Sequence, residues 1–291
     1  TLSSSSAASD VYKRQLKYLG LMVGGVGVLL IGFYLALGIW GDWHDDWSGY
    51  NWSVQWEVSD GWCNIAVLPI MGDITSEISE EEEGEVTTTN ADEASMFVER
   101  ANSDENILGL LVRIDSYGGA PVASEIVTNA VKRSGIPIVA LIREAGTSGG
   151  YMIASAADTI IASAMSDIGS IGMTMSYVGN WQQNAETGLT YVPLTSAPFK
   201  DYMHPDKPLT DEERKLLERD LAIYHEYFVG LVAENRGLSP EHVAALADGS
   251  SMPGALALEA GLIDQLGDQE TARAWFAQTL EISADEVVFC E

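Results

Sequence analysis

Two glycine-rich segments, each following an apolar β-branched run, are the places where this chain of 291 residues has the residue types for chemistry. They read Tyr117-Gly118-Gly119 and Thr147-Ser148-Gly149-Gly150. Glycine lets backbone amides approach a ligand closely. A serine at the mouth of a helix stands beside first-turn N–H groups that have no intrahelical partner. Together these features describe a nucleophile next to an oxyanion hole. Taken alone, Ser-Gly-Gly equally describes a tight turn that needs positive φ. A nucleophilic serine also needs a base, and the histidines are His44, His204, His225 and His242. His44 lies close to a long apolar run, and His225 and His242 fall within helical patterns as ordinary surface residues do. His204 is the histidine to retain. The other candidate is Lys200, which follows the apolar approach Ala197-Pro198-Phe199, whereas Lys132, Lys207 and Lys215 sit among polar or charged neighbours. A lysine acts as a base near neutral pH only when desolvation disfavours its ammonium form. An ordinary surface ion pair with Asp201 is the competing reading, so the residues alone leave the base open.

The elements that must position these groups follow from periodicity. Residues 64–71 form a buried strand closed by Gly72, and 107–114 a second one ending in Asp115-Ser116-Tyr117-Gly118-Gly119. Residues 136–142 and 159–164 read as further buried strands, the last followed by Gly169-Ser170-Ile171-Gly172. Helical spacing covers 91–101, 122–133 and 149–157. Thr210-Asp211-Glu212-Glu213 is a capping box opening a helix that runs to about Asn235, and Ser239-Pro240-Glu241 starts another. Strands alternating with helices in this way predict an α/β fold, a mostly parallel wound sheet with helices outside. In such a sheet, strand ends face one crevice, where sites form.

Acidic residues outnumber basic ones 43 to 15, for a net charge of -28. That excludes a nucleic-acid partner, which needs a basic footprint, and docking onto anionic lipid heads through a polybasic patch. Two cysteines, Cys63 and Cys290, cannot build a disulfide framework or a cysteine zinc site. Whether they pair is not legible. Residues 1–17 read as a Ser-rich flexible tail, native or a remnant. Residues 18–40 carry no charge and would make a helix of about 35 Å, enough to span a bilayer core. Lys13, Arg14 and Lys17 precede this run, and Asp42, Asp45 and Asp46 follow it. The positive-inside rule then leaves the N-terminus cytoplasmic and the remainder extracytoplasmic. A linker at 41–61 leads to one globular domain at 62–291. The acidic run Glu80 to Glu83 reads as a solvated loop.

Arg113-Ile114-Asp115-Ser116-Tyr117-Gly118-Gly119, Thr147-Ser148-Gly149-Gly150-Tyr151, Ile168-Gly169-Ser170-Ile171-Gly172 and Lys200-Asp201 resemble, in order and spacing, the signal peptide peptidase A family. Ala247-Asp248-Gly249 and Gly261-Leu262-Ile263-Asp264 fit the same pattern. The family consists of membrane-anchored serine peptidases of the ClpP/crotonase fold, and the chain is similar to its short, single-copy members. The resemblance implies Ser148 as nucleophile, Lys200 as general base and Ser170 as the hydroxyl that aims the lysine. It implies an oxyanion hole from the Gly149 amide with that of Gly118 or Gly119, and no cofactor. It also implies peptide substrates, signal peptides among them, and a bowl-like homo-oligomer, an octameric ring being the expected size. In that ring one subunit's lysine serves the neighbour's serine.

There are departures from the family pattern. Tyr117 stands where proline is usual, Arg143-Glu144 where Met-Gly is commoner, and Phe199 where a small or polar residue is frequent. They keep open a non-catalytic membrane scaffold of the same fold. A crotonase-like acyl-CoA enzyme is disfavoured by the anchor and by an acidic surface poorly suited to a phosphate-rich cofactor.

Overall fold

The computed structural model describes residues 58–59, 61–76 and 88–290. The tail at 1–17, the uncharged run at 18–40, most of the linker at 41–61, the acidic run Glu80 to Glu83 and His44 lie outside the described residues. Among the described residues, no helix is long and apolar enough to cross a membrane.

In chain order the elements are β1 (Ile65–Thr75), β2 (Thr88–Asn90), α1 (Ala91–Ser103), β3 (Gly109–Gly119), α2 (Pro121–Lys132), β4 (Ile138–Thr147), α3 (Gly149–Ala154), β5 (Thr159–Ala162) and β6 (Asp167–Gly169). There follow α4 (Trp181–Glu186), α5 (Asp211–Arg236), α6 (Pro240–Leu246), β7 (Ser251–Pro253), α7 (Gly254–Glu259), β8 (Gln265–Leu266), α8 (Gln269–Leu280), a 3-10 turn (Ala284–Glu286) and β9 (Phe289–Cys290). The sheet order is β2-β1-β3-β4-β5-β8, with β9 on the start of β1 and β6 on the end of β4. All of these pairs are parallel except β6 with β7.

Side chains alternate across a strand, which divides the core into two layers. Ala66, Leu68, Ile70, Leu110, Val112, Ile114, Ala140 and Ile142 face the layer that holds Val98 of α1, Val127 of α2, Ile153 of α3 and Phe228 of α5. Ile65, Val67, Leu111, Val139, Leu141 and Ile161 face the other way, onto Ala272 and Phe276 of α8. Both faces are covered, so the central strands read as continuous apolar runs.

Three strands run further than their apolar runs predict. Gly72 does not close β1: it sits at φ +60, where the register with β3 shifts between Met71 and Asp73. The Ser116 hydroxyl donates to the Gly72 carbonyl at 2.6 Å and secures this bulge. Beyond it, Asp73 and Ile74 pair with Gly118 and Gly119. The first glycine-rich segment is therefore the end of β3 rather than a turn after it. β4 likewise continues through Arg143 and Glu144 to Thr147, because its last three residues find a second partner in β6.

Residues 173–210 form a long, mostly irregular arm that contains α4. One ion cluster fastens its base. Lys207 Nζ donates to Asp201 Oδ1 at 3.1 Å and to Glu213 Oε1 at 2.5 Å. Glu213 is the buried third residue of α5, whose capping box with Thr210 forms as the sequence predicts. The hydrogen bond from Lys207 is the main cause that holds both carboxyls below the usual carboxylate range. The bond to Glu213 in turn raises Lys207 above the usual lysine value. At the other end of the chain, Cys63 and Cys290 form a disulfide with a Cα–Cα distance of 5.2 Å, joining the approach to β1 to the terminal strand β9.

Two predictions follow from these ties. The disulfide closes a sequence separation of 227 residues, and such a link removes unfolded-state freedom worth about 2–4 kcal/mol. The paired variant Cys63→Ser with Cys290→Ser should melt several degrees lower by calorimetry, and reductant should lower only the wild-type midpoint. In the ion cluster, the depressed carboxyls stabilise the fold fully above the usual carboxylate pKa and lose that contribution as pH falls through their lower folded values. The raised lysine stabilises fully below its usual pKa and loses its share as pH rises through its higher folded value. Lys207→Met should therefore lower stability on the neutral plateau and flatten both pH limbs. Denaturant unfolding from pH 2 to 11 reads this directly.

Candidate active site

Ser148 sits at the junction of β4 and α3 with φ 50 and ψ -120, a conformation that costs a non-glycine residue energy. Such strain persists only where the surroundings fix it, and here they do. The Ser148 amide donates to the Gly169 carbonyl of β6 at 2.7 Å, and Thr147 Oγ1 donates to the Tyr117 carbonyl at 3.1 Å. Behind the serine, Tyr151 of α3 is fully buried and its hydroxyl donates to the Leu262 carbonyl at 2.8 Å. Burial pushes that phenol well above its usual pKa, so it stays a neutral donor. The strained turn presents the Ser148 side chain half-buried at the cleft, with no hydrogen bond from its Oγ to any described residue.

The two glycines beside Ser148 are required by contact. Gly118 has φ +111, and a Cβ there would stand 2.9 Å from both Ser148 Cβ and the Gly149 nitrogen. A Cβ on Gly149 would lie 2.2 Å from Ser124 Oγ of α2. Gly149 is the first residue of α3, so no intrahelical carbonyl can reach its amide. The Gly118 amide is engaged: it donates to Ser116 Oγ at 3.0 Å.

Ser170 follows β6 with φ 49. Its amide donates to the Ser250 carbonyl at 3.0 Å and its hydroxyl to the Gly249 carbonyl at 3.0 Å. Because Thr147 is in register with Gly169, Ser148 and Ser170 emerge side by side from neighbouring strands. Both line a cleft of about 670 Å³, together with Gly119, Pro121, Met173, Leu221, His225 and Asp248 among others.

Lys200 is not among the residues that line this cleft. It lies exposed in a turn of the arm, and its ammonium has no partner among the described residues. The ion pair with Asp201 does not form, because Asp201 is taken by Lys207. His204 is also absent from the cleft lining: its ring stacks on Tyr191 at 4.3 Å, and its Nδ1 accepts from the Asp206 amide at 3.3 Å. His225 is the histidine that lines the cleft, donating through Nε2 to the Ala247 carbonyl at 2.8 Å. Helical spacing gave no sign of this, since it does not reveal which helix crosses the site.

The departures from the family pattern fall elsewhere. Tyr117 is 70% exposed and, with Arg143 and Glu144, lines a separate groove of about 730 Å³. Alternation along β3 turns Tyr117 away from the side that holds Ser116 and Gly118. Phe199 lies on the arm, part-exposed.

The model of peptidase family S49 matches residues 130–283, more than half of the chain and the span that holds Ser148, Ser170 and Lys200. A Methanocaldococcus jannaschii protein named as a protease is 31% identical over 187 residues, 64% of this chain and 60% of that one. A Synechocystis protein named as a protease is 35% identical over 180 residues, 61% of this chain and 65% of that one. An Enterococcus faecium protein named as signal peptide peptidase SppA is 31% identical over 180 residues, 60% of this chain and 52% of that one. The match thus spans roughly half to two thirds of these relatives' length. Among solved structures, a ClpP1 chain from Listeria monocytogenes aligns with a TM-score of 0.45 at 16% identity, over 69% of this chain and 91% of that one. With the family model covering more than half of it, the chain belongs to peptidase family S49 and is of the SppA type.

Proposed function

We propose that the protein is a serine endopeptidase in which Ser148 attacks the peptide bond and Lys200 of a neighbouring subunit is the general base. The observation that carries this reading is the strained, unengaged Ser148 at the N-terminus of α3, beside the open Gly149 amide. The neutral Lys200 amine takes the Ser148 proton as Oγ bonds to the carbonyl carbon. The carbonyl oxygen becomes an oxyanion held by the Gly149 and Gly119 amides, Gly118 being engaged by Ser116. Collapse breaks the C–N bond, and the lysine returns its proton to the leaving amine. Water, activated by the same lysine, then hydrolyses the acyl-enzyme and frees Ser148. Ser170, which lines the same cleft just after β6, would aim the incoming amine.

The lone, exposed Lys200 supports delivery of the base across an interface. So do apolar side chains of the arm left in solvent, Leu194 being 96% exposed. A homo-oligomeric ring, with an octamer as the expected size, would cover them and supply the desolvation that a basic lysine requires. The substrates proposed are apolar unfolded peptides, cleaved signal peptides among them. We further assign residues 18–40 as a membrane anchor, 41–61 as a linker and 62–291 as an extracytoplasmic peptidase domain. The Cys63–Cys290 disulfide supports that side of the membrane, since such bonds persist in oxidising compartments.

The test uses the full chain in detergent and a fluorogenic apolar peptide. Ser148→Ala and Lys200→Met should each lower kcat/KM by about a thousandfold or more. Coexpressed as mixed oligomers, the two variants should regain about a quarter of wild-type activity, because a serine from one subunit meets a lysine from the next. Full rate in either single variant would end the dyad, and no recovery on mixing would end the shared site.

A further inference from the structure

The cleft beside Ser148 has an electrical asymmetry that the acyl chemistry does not use. Among the described residues that line it, His225 and Asp248 are the only ones with ionisable side chains, leaving serine and threonine hydroxyls aside, and Asp248 is the only carboxylate. In a chain with 43 acidic residues, one more surface carboxylate means little by itself. Asp248 differs because its position is fixed on both sides. Ahead of it, the Ala247 carbonyl accepts from His225 Nε2 at 2.8 Å. Behind it, the Gly249 carbonyl accepts from Ser170 Oγ at 3.0 Å and the Ser250 carbonyl from the Ser170 amide at 3.0 Å. The residue is thereby tied by hydrogen bonds to Ser170, next to Ser148.

The carboxylate itself is also oriented. Oδ1 accepts from Ser250 Oγ at 2.6 Å and from the Ser250 amide at 2.9 Å. These two donors hold the carboxyl below its usual pKa, the hydroxyl foremost, so it is anionic at neutral pH. No lysine or arginine among the described residues pairs with it. Met173, Leu221 and Ala222 give the cleft an apolar stretch of wall, and Ser148, Ser170, Thr174 and His225 a polar one. A preorganised, unpaired carboxylate beside an apolar stretch of the cleft complements a peptide that carries a cation next to apolar side chains.

We propose that Asp248 is a specificity-determining residue of the Ser148 cleft, binding the ammonium or guanidinium of a basic side chain close to the bond to be cut. This inference rests on the reading of the cleft as a peptide site. It assigns the enzyme a substrate class, apolar segments interrupted or flanked by Lys or Arg. The same carboxylate could instead receive an ammonium from Lys200 of a neighbouring subunit, so the test must separate the two sources.

Peptide binding is measured by fluorescence anisotropy on the full chain carrying Ser148→Ala, which removes turnover from the readout. A peptide set places Lys, Leu or Glu in turn at each position of one apolar sequence. At one position the Lys peptide should bind about tenfold tighter than the Leu peptide and weaker as salt rises, with Glu poorest. Adding Asp248→Asn, which keeps an oxygen for Ser250, should bring the Lys and Leu peptides to within twofold. Adding Asp248→Glu, which keeps the charge, should retain part of the preference. Equal binding of Lys and Leu peptides at every position would overturn the proposal, as would a preference that survives Asp248→Asn. If the carboxylate serves Lys200 instead, Asp248→Asn in the otherwise wild-type chain will shift the pH profile of hydrolysis equally for all three peptides and leave their ratios untouched, and the proposal falls. Charge-selective binding without hydrolysis by the wild-type chain would count against the dyad alone.

Discussion

The site depends on β4 changing partners partway along its length. Val139 to Ile142 pair with β5, and Ala145 to Thr147 pair with β6. The two exposed residues between them, Arg143 and Glu144, are where the exchange occurs. Had β4 stayed with β5 throughout, its end would have no partner carrying Ser170. The exchange sets Thr147 opposite Gly169, so the next residue of each strand is a serine held at positive φ. The Ser148 amide then closes onto the Gly169 carbonyl. One pairing rule thus fixes the placement of both hydroxyls and stabilises two strained backbones together, where either alone would relax.

The rest of the fold keeps that corner rigid and the approach to it open. Gly118 and Gly149 let β3, α2 and α3 close to contact distance around Ser148, so a single added methyl would meet backbone or a buried hydroxyl. Tyr151 anchors α3 from behind through a neutral phenol in a dry setting. On the open side, the loop of Asp248 and Gly249 is held by His225 from α5 and by Ser170 from the sheet. The proposed nucleophile therefore rests on regular structure, while the opposite wall of the cleft is built from a loop pinned at both ends. That division suits a site whose reacting atom must not move but whose specificity can vary.

Much of this was legible where the signal is local. The capping box of Thr210 and Glu213 and the proline that opens α6 stand as read, and the apolar runs form strands though three of them extend further, because each depends on residues within a turn or on one face. The glycine-rich segment at 147–150 offered Ser148 as a candidate for the same reason, whereas Ser170 came only with the family resemblance. What escaped is what needs a distant partner. β3 continues through Tyr117 to Gly119 only because Asp73 and Ile74 pass a bulge to pair with it. His225 meets the cleft because α5 crosses it, and helical periodicity states a face without stating its neighbour. Cys63 and Cys290 meet because a terminal strand of two residues adds to β1, a contact too short to leave a pattern.

Two lysines of the arm show how an acidic chain keeps an amine unpaired. A carboxylate beside an amine stabilises its protonated form, so an acidic neighbour works against any lysine meant to accept a proton. Lys200 is followed directly by Asp201, the arrangement most apt to cancel it. Yet adjacent residues in a turn need not face each other, and here Asp201 is drawn inward. Lys207 binds it at 3.1 Å while also holding Glu213, and the Tyr191 hydroxyl donates to its second oxygen at 3.4 Å. With its oxygens engaged and its side chain only 12% exposed, Asp201 is withheld from Lys200. The cluster that fastens the arm to α5 is thus also the device that leaves the proposed base without a counter-ion. The stability of the arm and the freedom of Lys200 from a counter-ion rest on the same three side chains.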